Sequence, residues 1–427
     1  MRRPAGVGGI YQKGPSASLV RLPAMLHLLV SLLVLGSAPH AAVLDSGLLL
    51  EPLASPAGAH ASLPNLVRGA DGEIYLSWVE RLADHEARLC FSTFGTEGWS
   101  EAREILRAGD LFLNWADFPS LCVLADGRIM AQWLRSGDDP HGYSAEFSIS
   151  ADGGATWSAP RRLHDHDGPG EHGFVSLVAM DHETFGAFWL DGRKMVGAEP
   201  GAGEMAAMFR SISADGELGE EQIVDSRVCS CCQTSLVRTP SGGLLAAYRD
   251  RSAGEVRDIA FSQTVAGVAG WRAPELVHDD GWFIPGCPVN GPRLVAEKEV
   301  GAAVWFTGAG EGGGSVFLAR RLAKGPGYGP VVKVDDGLPM GRVDLVPLAG
   351  GGLLVAWLEH TESGAEWRLR RSGAGGLLGE SLAAARVPAQ RASGYLRMVA
   401  FEGGALMAWT QGGAEPGIGT LRVRSGH

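Results

Sequence analysis

Residues Leu244–Ser252 read LLAAYRDRS, in which small or apolar residues lead into one aromatic residue and polar residues follow. The same figure recurs along the whole chain, and each copy ends its apolar run on an aromatic side chain. The seven aromatic residues are Trp78, Trp133, Trp189, Tyr248, Trp305, Trp357 and Trp409. By subtraction, successive members are 55, 56, 59, 57, 52 and 52 residues apart. A spacing this regular predicts one supersecondary unit that is repeated along the chain.

Each repeat reads as four short strands joined by turns that contain Gly, Asp or Ser, such as Ala70-Asp71-Gly72. The composition agrees, because 62 glycines and 20% charged residues suit many strands and tight turns. A hydrophobic content of 45% in 427 residues is ample for a large core. The first unit covers about 65–106, and the later units cover about 115–163, 171–225, 230–278, 285–335, 340–388 and 393–425.

The last unit, at about 393–425, supplies only three strands. An unassigned strand-like segment, Gly47–Leu53 (GLLLEPL), lies near the start of the chain. If this segment supplies the missing strand, the sheets close into a ring and no open edge remains. We therefore predict an all-β fold, a seven-bladed β-propeller closed by an N-terminal strand, with residues 43–427 as a single domain. A six-bladed ring is the alternative, whereas seven evenly spaced copies argue against an open sandwich.

The N-terminus has the pattern of a targeting segment. Basic residues precede an apolar run, Met25–Gly36 (MLHLLVSLLVLG), and small residues follow it. The run is too short to span a bilayer, for which roughly 20 residues are needed. The pattern predicts an export signal with a long leader over residues 1–42, a periplasmic or extracellular location, and no stable membrane span after cleavage. An uncleaved membrane anchor is the alternative.

Residues 150–157 read SADGGATW and match the spacing Ser-x-Asp-x-Gly-x-Thr-Trp. Asp152 can accept backbone N–H groups across a tight turn, Gly154 can take a positive φ, and Trp157 can wedge between strands. Degenerate copies lie at the same position of other repeats, between the third and fourth strands. They are Phe91–Ser100, Ser213–Gly216 and Phe261–Trp271. This motif is the Asp box, and over roughly residues 60–425 the chain resembles the sialidase-like (BNR/Asp-box) superfamily. The Asp box marks the fold and performs no chemistry.

Polar residues gather at the ends of the strands that reach one face of the predicted ring. Sialidases hold the carboxylate of a sugar with three arginines, because a guanidinium matches a carboxylate bidentately. They add an Asp acid/base and a Tyr nucleophile that is activated by a Glu. The resemblance implies Asp117 as acid/base, Tyr395 as nucleophile and Glu359 as its partner. Tyr248 is a second candidate nucleophile, although it occupies the position of the repeated core aromatic.

The resemblance also implies a set of substrate-binding residues on this face: Arg193, Arg249, Arg342, Arg397, Asp191, Trp115 and Asn290. Two structural alternatives remain open. Pairs such as Asp191 and Arg193 can form salt bridges between or within blades, and Trp115 can cover the central channel instead of stacking on a sugar. The chain departs from the family at Ser62–Asn65, where sialidases carry an Arg-Ile-Pro motif.

Four cysteines open the fourth and fifth units: Cys229, Cys231, Cys232 and Cys287. Neighbours in sequence such as Cys231 and Cys232 rarely pair with each other, because a disulfide needs a particular Cβ separation and direction. One of the two is therefore expected to bridge to Cys287 across blades, and the other to pair with Cys229 or with nothing. A thiolate metal site is the alternative, although C-x-C-C matches no standard zinc motif.

The sequence thus predicts an exported, sialidase-like glycoside hydrolase with no cofactor and no bound metal. Its partner is an acidic glycan or another anionic small ligand. Nucleic acid is disfavoured because the net charge is −11, so an anion site must be a local cluster of arginines. The alternatives are a non-catalytic propeller that binds glycan or protein, and a thiol metal-binding protein.

Overall fold

In the computed structural model, the described residues are 47–83, 85–137, 142–198, 203–298, 300–310, 312–322, 325, 327–413 and 416–425. The predicted leader, its cleavage region and the 42/43 boundary lie outside them. Within the described residues, no helix combines the length and the apolar character needed to cross a membrane.

The described residues form 29 β-strands and two short 3-10 segments, Ala349–Gly351 and Arg391–Ser393. The strands up to the middle of the chain are β1 Leu48–Leu53, β2 Ala61–Arg68, β3 Ile74–Arg81, β4 Ala87–Gly95, β5 Gly98–Trp99, β6 Arg103–Ala108, β7 Ser120–Val123, β8 Ile129–Ser136, β9 Tyr143–Ser150, β10 Arg161–Arg162, β11 His172–Ala179, β12 Thr184–Lys194, β13 Glu204–Ser213 and β14 Gln222–Val228. The remaining strands are β15 Ser235–Arg238, β16 Leu244–Arg249, β17 Ile259–Gln263, β18 Glu275–Leu276, β19 Arg293–Ala296, β20 Gly301–Thr307, β21 Ser315–Arg320, β22 Val332–Lys333, β23 Pro339–Pro347, β24 Leu353–Thr361, β25 Gly364–Ser372, β26 Leu382–Val387, β27 Arg397–Phe401, β28 Gly404–Gln411 and β29 Gly417–Ser425.

These strands build seven antiparallel sheets, so the predicted seven-bladed propeller is confirmed. Blade 1 is β2 to β6, blades 2 to 6 are β7–β10, β11–β14, β15–β18, β19–β22 and β23–β26, and blade 7 is β27–β29 with β1. The closing strand is also confirmed, because Leu48 pairs with Ser425 and Leu53 with Thr420. Blade 1 differs from the expected four strands by the short hairpin strand β5, which pairs with β4.

The first full strand of each blade faces the centre of the ring. β2, β7, β11, β15, β19, β23 and β27 each contact the equivalent strand of the next blade, and β27 contacts β2. The buried apolar residues fall into seven clusters, one between each pair of neighbouring blades. Burial is therefore shared around the ring, and each blade covers the apolar face of its neighbour.

The repeated aromatic residues explain the period in physical terms. Each lies in the cluster between its own blade and the preceding one; Trp189 of blade 3, for example, packs with Phe147 of blade 2. In three blades the indole N–H is satisfied by an acid two residues later: Trp78 donates to Glu80 at 2.8 Å, Trp189 to Asp191 at 3.1 Å and Trp357 to Glu359 at 2.5 Å. This Trp-x-acid pair fixes the indole where it fills the gap between blades.

The Asp box is a turn between β9 and β10. Asp152 Oδ1 accepts the backbone N–H of Thr156 at 2.8 Å, and Ser150 Oγ accepts that of Gly154 at 2.7 Å. Gly154 has φ +90°, and a Cβ there would lie 2.3 Å from the Phe91 ring. Trp157 meets the same ring edge-on, with centroids 6.1 Å apart. The turn therefore joins blade 2 to blade 1.

Replacing Ser150 with alanine is expected to lower the free energy of unfolding by about 1 kcal/mol, because the buried N–H of Gly154 loses its acceptor. Urea unfolding of the wild type and the variant measures the difference. Ser226→Ala, at an exposed position of β14, is the control and should change it by less than about 0.5 kcal/mol. Equal effects of the two substitutions would contradict this role for the turn.

Candidate functional site

The seven inner strands place one polar residue each at the same register. Each of these residues lies opposite the residue that immediately precedes the repeated aromatic, as Arg293 does opposite Val304 and Arg397 opposite Ala408. We call this set the axial ring. Its members are Asn65, Ser120, Ser176, Ser235, Arg293, Asp344 and Arg397.

The charged part of the axial ring contains two arginines and one carboxylate. Arg293 Nε donates to Asp344 Oδ1 at 2.9 Å, and Arg397 Nη1 lies 4.0 Å from Asp344 Oδ2. Asp344 is fully buried and also accepts the backbone N–H of Met398 at 2.7 Å. Burial, together with the positive charge of Arg293, lowers the pKa of Arg397 to about 10. One buried carboxylate therefore faces two guanidiniums, of which Arg397 is buried and Arg293 is partly exposed.

A cavity of about 130 Å³ lies along the ring axis. Six of the seven inner strands line it, and its polar wall includes Asn65, Ser120, Ser176, Arg293 and Arg397. Arg397 has a single described hydrogen bond, at 3.5 Å, from Nη1 to the carbonyl of Leu396. Its guanidinium lies over the Phe118 ring, 4.6 Å from the centroid. Hydroxyl groups, an amide and a guanidinium with spare N–H donors form a wall that can receive an anion.

Asp117, the predicted acid/base, is buried at the wall of the same cavity. Its Oδ1 accepts the backbone N–H of Phe174 at 2.8 Å. Oδ2 makes no hydrogen bond of good geometry, although the Tyr143 side chain lies beside it. Burial raises the pKa of Asp117 to about 7, and the hydrogen bond from Phe174 offsets only part of the rise. The structure thus places a carboxyl that holds its proton up to neutral pH on the wall of the cavity that Arg397 also lines.

This raised pKa predicts a pH dependence of stability. An aspartate in the unfolded chain has a pKa of about 3.9, so between about pH 4 and 7 the folded protein holds a proton that the unfolded chain releases. The free energy of unfolding therefore falls as pH rises through this window. Asp117→Asn lacks this proton, and its stability relative to the wild type is expected to rise over the same window. Urea unfolding at about pH 5, 6 and 8 tests this, with exposed Asp215→Asn as control; parallel curves for wild type and Asp117→Asn would contradict it.

Several predicted site residues join neighbouring blades. Asn290 Oδ1 accepts the backbone N–H of Arg342 at 2.7 Å, just as Asp117 accepts that of Phe174. Arg342 and Phe174 have φ of 54° and 52°, and each lies in a bulge at the start of its inner strand. Non-glycine residues take this conformation at some cost in energy. Here the bulge turns an N–H group toward the preceding blade, which stabilises the ring.

Three of the four arginines predicted to bind the substrate donate to protein groups. Arg193 donates to both oxygens of Asp191, at 2.7 and 2.6 Å, and to Glu221 at 2.9 Å. Arg249 is buried and donates to three backbone carbonyls, those of Asn290, Arg257 and Phe306. Arg342 donates to the carbonyls of Gln390 and Gly394. Of the four, only Arg397 lines the axial cavity.

Tyr395, the predicted nucleophile, and Glu359, its predicted partner, have different contacts. Tyr395 is buried, and its hydroxyl donates to the carbonyl of Val289. Its ring stacks on Trp115, with centroids 6.0 Å apart. Glu359 accepts the indole N–H of Trp357 and the backbone N–H of Leu338 at 2.5 Å. Among the contacts of the described residues, none joins Tyr395 to Glu359.

Two further predicted residues also have structural neighbours. Burial raises the pKa of Asp191, but hydrogen bonds from His172 and Arg193 outweigh it and hold the pKa well below its usual range. Trp115 lies under the guanidinium of Arg342, which is 4.6 Å from the ring centroid. Both residues therefore have protein partners, and their contact with a ligand stays a prediction.

The predicted disulfide between blades 4 and 5 is confirmed as Cys231–Cys287. Cys229 and Cys232 are free and buried, as are Cys90 and Cys122 in earlier blades. The sulfur atoms of Cys229, Cys231 and Cys232 lie within 4.8 Å of one another. While Cys231 is bonded to Cys287, only two thiols remain at this point, fewer than the four ligands of a structural zinc site.

Arg293 and Asp344 are not among the site residues predicted from the sequence. The sequence prediction also omits the serines and the asparagine of the axial ring. A signal was present, since each ring member precedes Leu or Met and then Val or Cys, as in Asn65-Leu66-Val67 and Arg397-Met398-Val399. Alignment of the inner strands on this pattern, instead of on the aromatic residue, locates the ring.

Comparison with known proteins agrees with this fold. A model of the BNR repeat-like domain matches residues 79–281. Together with the Asp box and the ring of blades, this match supports the resemblance to the sialidase-like BNR-repeat superfamily. No curated protein sequence matches the chain.

The solved structures with a similar fold include proteins that are named as carbohydrate-active enzymes. An ulvan lyase from a family of polysaccharide lyases has a TM-score of 0.53 at 11% identity and covers 87% of this chain and 95% of its own. The leech intramolecular trans-sialidase has a TM-score of 0.48 at 10% identity, with 83% and 84% covered. The α-L-arabinanase of Penicillium chrysogenum has a TM-score of 0.45 at 13% identity, with 86% and 93% covered. At these identities the likeness concerns the fold alone.

Proposed function

We propose that the protein is a binding propeller that receives the acidic group of a glycan, or a similar small anion, at the axial cavity. The observation that carries this proposal is the pair of guanidiniums, Arg293 and Arg397, which share the single carboxylate of Asp344 at the cavity wall. A buried charge without a full set of partners is expensive in free energy. An anion between the two arginines supplies the missing negative charge.

The size of the cavity favours binding of a group over enclosure of a whole sugar. Pockets for small molecules usually measure about 300–1,000 Å³, whereas this cavity measures about 130 Å³. A carboxylate or sulfate group fits such a volume, and the sugar ring that carries it remains outside. The match of residues 79–281 to the BNR repeat-like domain supports a carbohydrate as the carrier of this group.

A sialidase-type glycoside hydrolase is the second candidate function, and Asp117 favours it. Its carboxyl, with a pKa of about 7, lies at the same wall and can act as an acid near neutral pH. The contacts of Tyr395 and Glu359 weigh against hydrolysis, because a tyrosine nucleophile needs a free hydroxyl and a nearby base. Binding without turnover is therefore the primary proposal.

Calorimetric titration with N-acetylneuraminate, glucuronate and neutral N-acetylglucosamine tests the proposal. The wild type is expected to bind the acidic sugars and not the neutral one. Arg397→Gln is expected to weaken binding about 10- to 100-fold, which corresponds to one charge-assisted hydrogen bond. Arg81→Gln, at an exposed position of β3, is the matched control.

The same titration has outcomes that reject the proposal. Equal affinity of the wild type and Arg397→Gln for the acidic sugars would contradict a site at the axial ring. Release of the aglycone from a fluorogenic sialoside, abolished by Asp117→Asn, would replace binding with hydrolysis. Absence of any binding together with absence of turnover would reject both candidate functions.

Export of the chain is part of the proposal. The leader over 1–42 belongs to the sequence prediction, and the Cys231–Cys287 disulfide supports it because disulfides persist in oxidising compartments. Expression of the full chain in a bacterium should yield a processed protein outside the cytoplasm, with an N-terminus near residue 42 by mass spectrometry. An intact N-terminus in the cytoplasmic fraction would contradict export.

A further inference from the structure

Four sulfur atoms form a continuous row where blade 4 meets blade 5. Cys232 Sγ lies 3.3 Å from Cys229 Sγ, and Cys229 Sγ lies 3.8 Å from Cys231 Sγ. Cys231 is bonded to Cys287. Cys229 and Cys232 are each only 1% exposed, whereas Cys287 is at the surface. The row therefore leads from a buried dithiol, through a disulfide, to solvent.

The two thiols of this row differ in their electrostatic surroundings. The hydrogen bond from Cys232 lowers the pKa of Cys229 to about 6, and the positive charges of Arg249 and Arg257 act in the same direction. Arg257 Nη1 lies 3.4 Å from Cys229 Sγ. Burial raises the pKa of Cys232 well above its usual value. Cys229 is thus the thiolate of the pair and Cys232 is the reserve thiol, the division that Cys-x-x-Cys spacing favours.

We propose that these four cysteines form a thiol–disulfide relay in which the buried dithiol Cys229/Cys232 reduces an external disulfide through the Cys231–Cys287 bond. The substrate class is a disulfide, on a small molecule or a protein, that reaches Cys287 at the surface. This activity is independent of the axial cavity and of its ligand.

The first half of the relay moves a sulfur–sulfur bond inward. Cys229 thiolate attacks Cys231 Sγ, the Cys231–Cys287 bond breaks, and Cys287 leaves as a thiolate at the surface. Cys287 then attacks the external disulfide RSSR, forms a mixed disulfide with one RS group and releases the other as a thiolate.

The second half restores the surface disulfide. Cys232 loses its proton and attacks Cys229 of the new Cys229–Cys231 bond, which forms Cys229–Cys232 and releases Cys231 as a thiolate. Cys231 then attacks Cys287 of the mixed disulfide, re-forms Cys231–Cys287 and releases the second RS group. The balance is one dithiol oxidised, one RSSR reduced to two RSH, and the two protons of the dithiol transferred to them.

A chromogenic aromatic disulfide, 5,5′-dithiobis(2-nitrobenzoate), added to the folded protein under nitrogen tests the relay. The wild type is expected to release two equivalents of coloured thiolate, and peptide mapping should find both Cys229–Cys232 and Cys231–Cys287 bonds. Cys229→Ser is expected to release none from this row and to keep its surface disulfide. A Cys90→Ala/Cys122→Ala variant controls for the other buried thiols and should behave as the wild type.

Cys232→Ser separates the relay from simple access of the probe to the thiols. In this variant the relay is expected to stop after its first half. One equivalent of coloured thiolate is then released, and the other half of the probe stays bound to Cys287 as a mixed disulfide. The double variant Cys231→Ser/Cys287→Ser, shown to be folded by circular dichroism, should react at least tenfold more slowly than the wild type at Cys229 and Cys232. Wild-type reaction rates in this double variant, absence of probe on Cys287 in Cys232→Ser, or a stoichiometric metal ion that blocks the four sulfurs would each overturn the relay.

Discussion

Replacement of Asp344 with alanine is expected to lower the free energy of unfolding by about 3–5 kcal/mol, the range for breaking a buried ion pair by removing one partner. Asp344 is fully buried and accepts the side chain of Arg293 at 2.9 Å. It also accepts the backbone N–H groups of Leu345 and Met398, at 2.8 and 2.7 Å. The substitution leaves two guanidiniums without their carboxylate and removes a link between blades 6 and 7. Urea unfolding, followed by tryptophan fluorescence, measures the loss.

Two further variants define the effect of Asp344. Asp215→Ala removes a carboxylate that is 87% exposed and should change stability by less than about 0.5 kcal/mol. Asp344→Asn keeps the shape and one carbonyl oxygen, so its loss should fall between those of the two alanine variants. An Asp344→Ala protein as stable as Asp215→Ala would show that the axial charges are solvated and that the described ion pairs do not form.

Replacement of Trp189 with alanine is expected to lower the free energy of unfolding by about 3–5 kcal/mol, as large-to-small substitutions of buried aromatic residues do. Trp189 is fully buried in the cluster between blades 2 and 3. Its loss opens a cavity there and removes the indole N–H that Asp191 accepts at 3.1 Å. Thermal unfolding and urea unfolding both measure the decrease.

Trp189→Phe is the matched control for this prediction. It keeps most of the apolar volume, and Asp191 keeps its hydrogen bonds from Arg193, so we expect a loss of about 1–2 kcal/mol from the removed indole hydrogen bond and the smaller ring. An alanine variant within about 1 kcal/mol of the wild type would contradict the view that the repeated aromatic residues hold neighbouring blades together.

The blade number and the ring closure could be predicted from the sequence because both follow from a strong local pattern. The aromatic residue that fills each gap between blades recurs at every turn of the repeat, from Trp78 to Trp409. The sequence predicts Gly47–Leu53 as the closing strand because the last repeat supplies only three strands of its own, and the structure pairs Leu48–Leu53 with β29. Each blade needs four paired strands, and the number of strands in each repeat can be counted on the sequence.

The hydrogen-bond partners of polar side chains could not be predicted in this way. Arg249 and Arg397 both lie at ends of strands, yet one is bound by three carbonyls and the other lines the cavity. The difference depends on which atoms the neighbouring blade presents, and the sequence of one blade does not contain that information. The same holds for Cys231, which points toward Cys287 from the turn where Cys232 points inward.

Diffraction from crystals soaked in sodium bromide, measured at the bromine absorption edge, tests the central claim most directly. Closure of seven blades brings Arg293 and Arg397 to one axial cavity, so an anomalous peak is expected within contact distance of both guanidiniums. Arg397→Gln crystals should lose this peak and keep any bromide at exposed sites. An empty cavity in the wild type, with bromide only on the outer surface, would contradict the account.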